Sequence, residues 1–376
     1  MKILELCMSP GLGGLELYVF RSALALSHRH EVISVINTQG KLAERYRNHP
    51  ALKTHALNYR RSYLPLINAR KLAHFIDQQQ IDVIHMHWGN DLALAALAKK
   101  FSKRKPALVY TRQMQITRSK DDIYHRFLYS QMNLMLTITH ALENDAKKFI
   151  HGFASRIKTL YYGVAAPAHI LPPNEKIQKR AQLNFNQDDF VVGLFGRLED
   201  GKGQHLLLKA IAEAQRHDIS IKALIAGHEM AAGYSNTLKQ LAKELKIDSQ
   251  IQFSDFVSEP QALMQICDCV ALTSYEETFG LVLPEAMRAG ITVIGSNAGG
   301  VPEIIDHETT GLLFEPRNVS SLCQQISRLY SNPQFKHDIA LGGKNKADTV
   351  FNQDEHFIKL EQHFLSVIQS GTSVTI

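Results

Sequence analysis

FVVGLFGRLEDGKGQHLLLKAIAEAQ (190–215) sets the architecture of this 376-residue chain. It opens on a nearly unbroken apolar run of strand length. A charged, glycine-permissive turn follows, and then apolar residues at helical spacing. A strand apolar on both faces that feeds a helix is the building unit of a parallel sheet. The unit recurs downstream in IKALIAG (221–227), QIQFSDF (250–256), CVALTS (269–274) and TVIGSNA (292–298), with helical stretches between them. Upstream it recurs in KILELCMS (2–9), EVISVIN (31–37), IDVIHMH (81–87), ALVYTRQ (107–113) and LMLTITH (134–140). TLYYGVAAP (159–167) and the proline-rich stretch to 173 interrupt the series and read as a linker. The expectation is an α/β protein of two Rossmann-like, doubly wound parallel-sheet domains, 1–166 and 167–353, facing a central cleft. Ligands then bind at the C-terminal edges of the strands.

Composition narrows the class. Hydrophobic residues make up 45% and charged residues 21%, as in a globular chain. No apolar run approaches the roughly 18–20 residues that cross a bilayer. The start, MKILELCMS, turns acidic at Glu5 and reads as a first strand rather than a signal peptide. Cys7, Cys267, Cys269 and Cys323 are few and sit in apolar segments, so they read as buried thiols of a reducing cytoplasm. The net charge is +6, and its excess lies in the first half: KKFSKRK (99–105), Arg60-Arg61, Arg112, Arg118, Lys120 and Arg126. Such a face is either simply solvated or attracted to anionic lipid, at about 1 kcal/mol per basic residue. No nucleic-acid module appears in the sequence, which disfavours nucleic acid.

Four features carry chemistry in the second half. In GRLEDGKGQ (196–204), Arg197 and Lys202 flank a flexible turn, suited to a diphosphate or merely an exposed loop. In EETFGLVLPEAMRAG (276–290), Glu277 precedes a helix that starts near Phe279-Gly280 and Leu281, holds Glu285 about a turn in, and stops at Gly290. The carboxylates can face a sugar and a ribose while the first backbone N–H groups face a phosphate. NAGGVPEIIDHETTGLLF (297–314) adds a tight turn that lines the pocket or is only conformationally demanding. In SDFVSEP (254–260), Phe256 and Val257 either sit beside a base or close a strand. In the first half, PGLGG (10–14) leads into a helix, but a dinucleotide fingerprint fails because Glu16 stands where its last glycine belongs. His85, His87, His140 and Arg112 lie at strand ends, where catalytic groups are placed, although most of the 18 histidines are structural. There is no Gly-x-Ser-x-Gly elbow, His-Glu-x-x-His or Walker loop.

GRLEDGKGQ, SYEETFGLVLPEAMRAG (274–290) and GGVPEIIDHETTGLLF (299–314) together resemble, in order and spacing, the retaining glycosyltransferases of family 4, which have the glycosyltransferase B fold. The first half is similar more loosely, through GGLE (13–16), the strand and helix around IDVIHMH, and the final helix. The resemblance implies transfer of a hexose-type sugar from a UDP- or GDP-sugar to a hydroxyl, with no cofactor and no metal. It gives Arg197 and Lys202 to the diphosphate, Glu285 to the ribose, Glu277 to the sugar, and the Gly280 and Leu281 amides, beside Phe279, to the phosphate. Gly14 becomes the first-domain glycine nearest the diphosphate, and the helix 354–376 is expected to pack back on the first domain. The acceptor, a glycan or a lipid-linked sugar of cell-envelope or lipopolysaccharide type, would meet His87, Arg112, Gln113 and His140. The enzyme would be cytoplasmic, peripheral on the inner face of an anionic membrane. Three departures stand out: Gln113 where the family often has histidine, Tyr162-Gly163 for its Asn-Gly, and Thr273 for a proline. Rival readings are a sugar-nucleotide epimerase or phosphorylase of the same architecture, and a catalytically silent protein that keeps the donor pocket.

Overall fold

The computed structural model describes residues 1–57, 62–255, 257 and 260–372. Arg60, Arg61, Phe256 and the last four residues of the 354–376 segment lie outside the described residues. The chain divides into two compact units: one runs to Tyr162 and resumes at Asp354, and the other is Gly163–Gln353.

The first unit is built on β1 (Lys2–Cys7), β2 (Glu31–Ile36), β3 (Lys53–Ala56), β4 (Val83–Met86), β5 (Ala107–Arg112), β6 (Leu134–Thr137) and β7 (Ile157–Thr159). All pairs are parallel, in the order β3-β2-β1-β4-β5-β6-β7. The winding reverses between β1 and β4, the point at which such sheets bind ligands. β4 and β5 are buried along their whole length, as strands covered by helices on both faces must be. The helix Leu92–Phe101 buries seven of its residues from Leu92 to Ala98, which is why LALAALA shows no polar face. Side chains of the helix Gln353–Thr372 tie it to this unit. The His356 ring lies 2.9 Å from the Tyr18 hydroxyl, Glu361 pairs with Arg29 at 2.8 Å, and the Phe364 ring lies 5.0 Å from that of His85.

The second unit carries β8 (Phe190–Phe195), β9 (Ile221–Ala226), β10 (Ile251–Ser254), β11 (Cys269–Leu272), β12 (Thr292–Ser296) and β13 (Leu312–Phe314). Their order, β10-β9-β8-β11-β12-β13, is again parallel throughout and reverses between β8 and β11. The unit begins four residues before the expected boundary, and the bonding of the Val164 backbone explains it. The Val164 N–H donates to Phe351 O at 2.8 Å, and Arg288 donates to Val164 O at 2.5 Å. The proline-rich stretch is held rather than loose, because the Gln265 amide accepts from Leu171 N–H at 2.8 Å and donates to His169 O at 2.9 Å.

All four cysteines are buried and unpaired. Among the described residues no helix is long and apolar enough to cross a membrane. KKFSKRK is exposed at Lys100 and Lys103, while two of its other cations are bonded within the unit. Lys99 donates to Gln131 O at 2.8 Å, while Arg104 donates to Ile81 O and the Gln80 amide, both at 2.9 Å, and pairs with Asp82. Two of its cations therefore cap helix and strand ends of their own unit.

Candidate functional site

Three loops leave the C-terminal ends of β8, β11 and β12, which are neighbours in the second sheet. They are tied to one another at four points. The Lys202 ammonium forms an ion pair with the Glu277 carboxylate, whose Oε1 also accepts from the Ser274 hydroxyl at 3.0 Å. The Thr273 hydroxyl donates to Lys202 O at 2.8 Å, and the Tyr275 N–H donates to Gly201 O at 2.9 Å. The Gly300 N–H donates to Glu277 O at 2.8 Å. Two glycines permit this closeness. A Cβ on Gly203 would fall 2.3 Å from Thr273 O and one on Gly299 would fall 2.1 Å from Glu277 O, and both residues have positive φ, 67° and 61°.

The carboxylate of Glu277 is thus engaged by a cation and a hydroxyl while its side chain stays 17% exposed. Such a pair, neither dry nor fully wet, contributes little net stability. It fixes the position of both groups, and an arriving anion can share Lys202 because an ammonium has three donors. Arg197 is placed differently: its guanidinium is exposed and meets Glu199 at 3.1 Å, on its own loop. Gln204, wholly buried, donates to Arg197 O at 2.8 Å and holds that loop from below.

The helix expected after Phe279-Gly280 is Val282–Arg288, with Leu281 as its cap and Glu285 half-buried in its first turn. Gly280 has φ +95° and Gly290 φ +76°, the breaks expected at either end. Phe279 is not at the surface. Its ring is buried 5.8 Å from that of Phe351, so it anchors the loop and offers a ligand only its backbone. Val257 is half-buried just beyond β10, at the sheet edge.

In the first unit, Gly14 is exposed and opens the helix Gly14–Ser27. Glu16 turns back on the loop: its carboxylate accepts from Gly13 N–H at 2.7 Å and from the Ser9 hydroxyl. A carboxylate therefore stands at the helix start where a dinucleotide phosphate would lie, a physical reason for the broken fingerprint. His87 is not on an outer face either. It is fully buried with its Nε2 on Glu5, which also meets His85 Nδ1 at 3.1 Å and accepts from Ser22 at 2.8 Å. Burial pushes the Glu5 carboxyl up, but His85 and His87 outweigh it and hold it at about 2. Burial lowers His87 to about 4 and His356 to about 3, so both rings are neutral at pH 7. These three buried side chains, Glu5, His85 and His87, are close enough to ligate one ion, but their mutual hydrogen bonds already satisfy Glu5.

Arg112 and Gln113 are buried at the end of β5, and His140 is exposed at the start of the helix His140–Phe149, 3.4 Å from Glu143. Asp91, which no sequence signal marks, lies fully buried after β4 and accepts from Met8 N–H at 2.8 Å. Burial raises its carboxyl to about 7 against that hydrogen bond.

Residues 175–346 match the family model for glycosyl transferases group 1, and residues 12–166 match that for glycosyltransferase family 4. The N-acetyl-alpha-D-glucosaminyl L-malate synthase of Bacillus anthracis is 23% identical over 291 residues, 76% of this chain and 74% of that protein. The structure of Anabaena HepE in complex with UDP is similar over 97% of this chain and 100% of its own, with TM-score 0.85 and 24% identity. The apo lipopolysaccharide outer core galactosyltransferase WaaB is similar over 97% and 99%, with TM-score 0.74 and 19% identity.

Asp91 gives the first unit a distinctive pH response. Its carboxyl binds a proton in the folded state at pH values where the unfolded chain, near its ordinary 3.8, has lost it. Stability is therefore highest below about 4 for this group and falls as pH rises through about 7. Asp91→Asn should gain on the wild type across that window, reaching about 4 kcal/mol by pH 8. Urea melts at pH 5 and pH 8 check it, and an unchanged difference between the two proteins would contradict the burial cost.

Proposed function

The chain belongs to the group 1, family 4 glycosyltransferases, and from that premise we propose that it moves a hexose-type sugar from a UDP- or GDP-sugar to a hydroxyl with retained anomeric configuration. The observation that carries this is the Lys202–Glu277 pair at the C-terminal ends of β8 and β11, with Ser274 and Gly300 holding Glu277 in place. Lys202 and Arg197 bind the diphosphate, Glu285 accepts from the ribose hydroxyls, and Glu277 accepts from the sugar. The amides of Gly280 and Leu281 face the phosphate. Val257 flanks the base.

In the reaction the bond from the anomeric carbon to the β-phosphate oxygen breaks, and its electron pair stays on the phosphate. Lys202 and Arg197 stabilise that growing charge, which is the larger part of the catalysis. The acceptor oxygen bonds the same face of the carbon, and its proton passes to the departing phosphate oxygen. A double displacement needs a carboxylate free to attack. Glu277 is engaged by Lys202 and Ser274, which favours the same-face route. The cationic side chains do the electrostatic work that a divalent metal does elsewhere, so no metal or cofactor is required.

The acceptor is a glycan or lipid-linked sugar of the cell envelope, lipopolysaccharide being the nearest class, met at the inner face of the cytoplasmic membrane. Support comes from exposed apolar side chains beside the cations: Ile123 is 88% and Ile67 71% exposed, and Tyr124 ties their two segments by bonding to Tyr63 O. Arg118 and Arg126 are exposed close by in the chain.

Lys202→Ala should lower kcat/KM at least about a hundred-fold, roughly 3 kcal/mol, with an unchanged melting temperature. Glu285→Ala should weaken the free nucleotide about ten-fold. Proton NMR of the product should show the donor's anomeric configuration. Full activity of the lysine variant, or an inverted product, would refute the mechanism. Flotation with vesicles containing phosphatidylglycerol should carry the wild type and lose Ile123→Asp. Equal flotation of both, or none, removes the membrane role.

A further inference from the structure

Tyr275 follows Ser274 on the loop after β11, two residues before Glu277. Its backbone and its side chain engage one short segment at both ends. The Tyr275 N–H donates to Gly201 O at 2.9 Å, and its hydroxyl lies 2.9 Å from His205 Nε2. Lys202, Gly203 and Gln204 stand between those two contacts. A third contact falls on the ring itself. The Arg317 guanidinium carbon is 4.2 Å from its centroid, within cation–π range. Arg317 sits in a left-handed turn, φ 61°, between β13 and the helix Val319–Ser331.

Protonation gives the hydroxyl bond its direction. Burial and Asp200 raise the Tyr275 phenol, against Arg317, so it keeps its proton at pH 7. Burial lowers His205, against Asp200 and together with Lys209, so its ring is neutral. The phenol therefore donates, and His205 accepts at Nε2 with its own proton on Nδ1, the atom 3.8 Å from Asp200. His205 lies in the first turn of the helix Gln204–Gln215 with its side chain 18% exposed, so the acceptor is itself fixed.

This bridge spans the same two strand ends as the Lys202–Glu277 ion pair but uses neither of its charges. The difference matters when an anion arrives. A diphosphate that shares Lys202 loosens its hold on Glu277, because two anions then divide one cation. The orientation of Lys202 then falls to its backbone, and the next residue is Gly203, the most permissive kind, at φ 67°. A segment pinned at both Gly201 and His205 has little freedom to turn at that glycine.

We propose that Tyr275 is a positioning residue for Lys202, acting through His205 and braced by Arg317, and that it keeps the ammonium aimed at the diphosphate once that ligand has drawn it from Glu277. The assignment rests on the reading of Lys202 as a diphosphate ligand.

Calorimetric titration of UDP and GDP into the wild type, Tyr275→Phe, Lys202→Met and the double variant tests it. Tyr275→Phe keeps the ring under Arg317 and loses only the hydroxyl bond. It should bind the nucleotide about five-fold more weakly than the wild type. In the Lys202→Met background the same change should alter affinity by less than about two-fold, because a residue acting through the lysine has nothing left to position. His205→Leu should reproduce the loss, whereas His205→Gln, whose amide oxygen can accept from the phenol, should keep most of the affinity. A tyrosine that merely packs would lower the melting temperature and leave the affinities alike. Unchanged affinity in Tyr275→Phe, an equal loss in both lysine backgrounds, or a loss from His205→Gln as large as that from His205→Leu overturns the proposal. If neither nucleotide binds the wild type, the diphosphate reading of Lys202 fails and the positioning role fails with it. If Lys202→Met weakens the nucleotide while Tyr275→Phe does not, only the positioning role fails.

Discussion

The ion pair between Lys202 and Glu277 is the constraint on which the second unit's functional edge depends. It joins the loop after β8 to the loop after β11, and Gly300 N–H extends the tie to the loop after β12. Three neighbouring strands thereby deliver their ends to one small region. A pair this exposed adds little to stability. Its value is positional, since each partner holds the other where a charged ligand would need it. The positive φ of Gly203 and Gly299 follows from the same requirement, because any side chain there would strike the carbonyls that close the web.

Both units use one plan, a parallel sheet that reverses beside its first strand, yet their reversal points are chemically unlike. In the second unit polar groups are paired across loops, although buried Gln204 Oε1 and Ser296 Oγ keep no partner. In the first, a buried Glu5 is satisfied by two histidines and a serine, while further out four residues keep unpaired atoms. Glu16 adds a negative charge at the first helix start, which sets that loop apart from a dinucleotide cradle.

The strands buried on both faces were legible as apolar runs, and Gly280 and Gly290 marked the ends of the Glu285 helix. What eluded the sequence depends on pairing. β3, with Lys53, Thr54 and His55, is an exposed edge strand with no apolar pattern to announce it. Val164 belongs to the second unit through its backbone, bonded to Phe351 O and to the distant Arg288 side chain, which local sequence does not announce. KKFSKRK reads as a uniform cationic face, whereas its Lys99 and Arg104 are bonded to carbonyls of their own unit. Phe279 stands inside the motif, but its ring points into the core. Asp91 follows Trp88-Gly89-Asn90 with no telling spacing, and only its burial distinguishes it.

If Lys202 is shared between Glu277 and a diphosphate, the two side chains must affect nucleotide binding in opposite ways. Calorimetric titration of UDP and GDP into the wild type, Glu277→Gln and Lys202→Met is the most direct test. At least one nucleotide should bind the wild type. Glu277→Gln should bind it as tightly or more tightly, since its lysine is released, whereas Lys202→Met should bind it about ten-fold more weakly. Equal weakening by both substitutions, or no binding of either nucleotide, would contradict the shared cation.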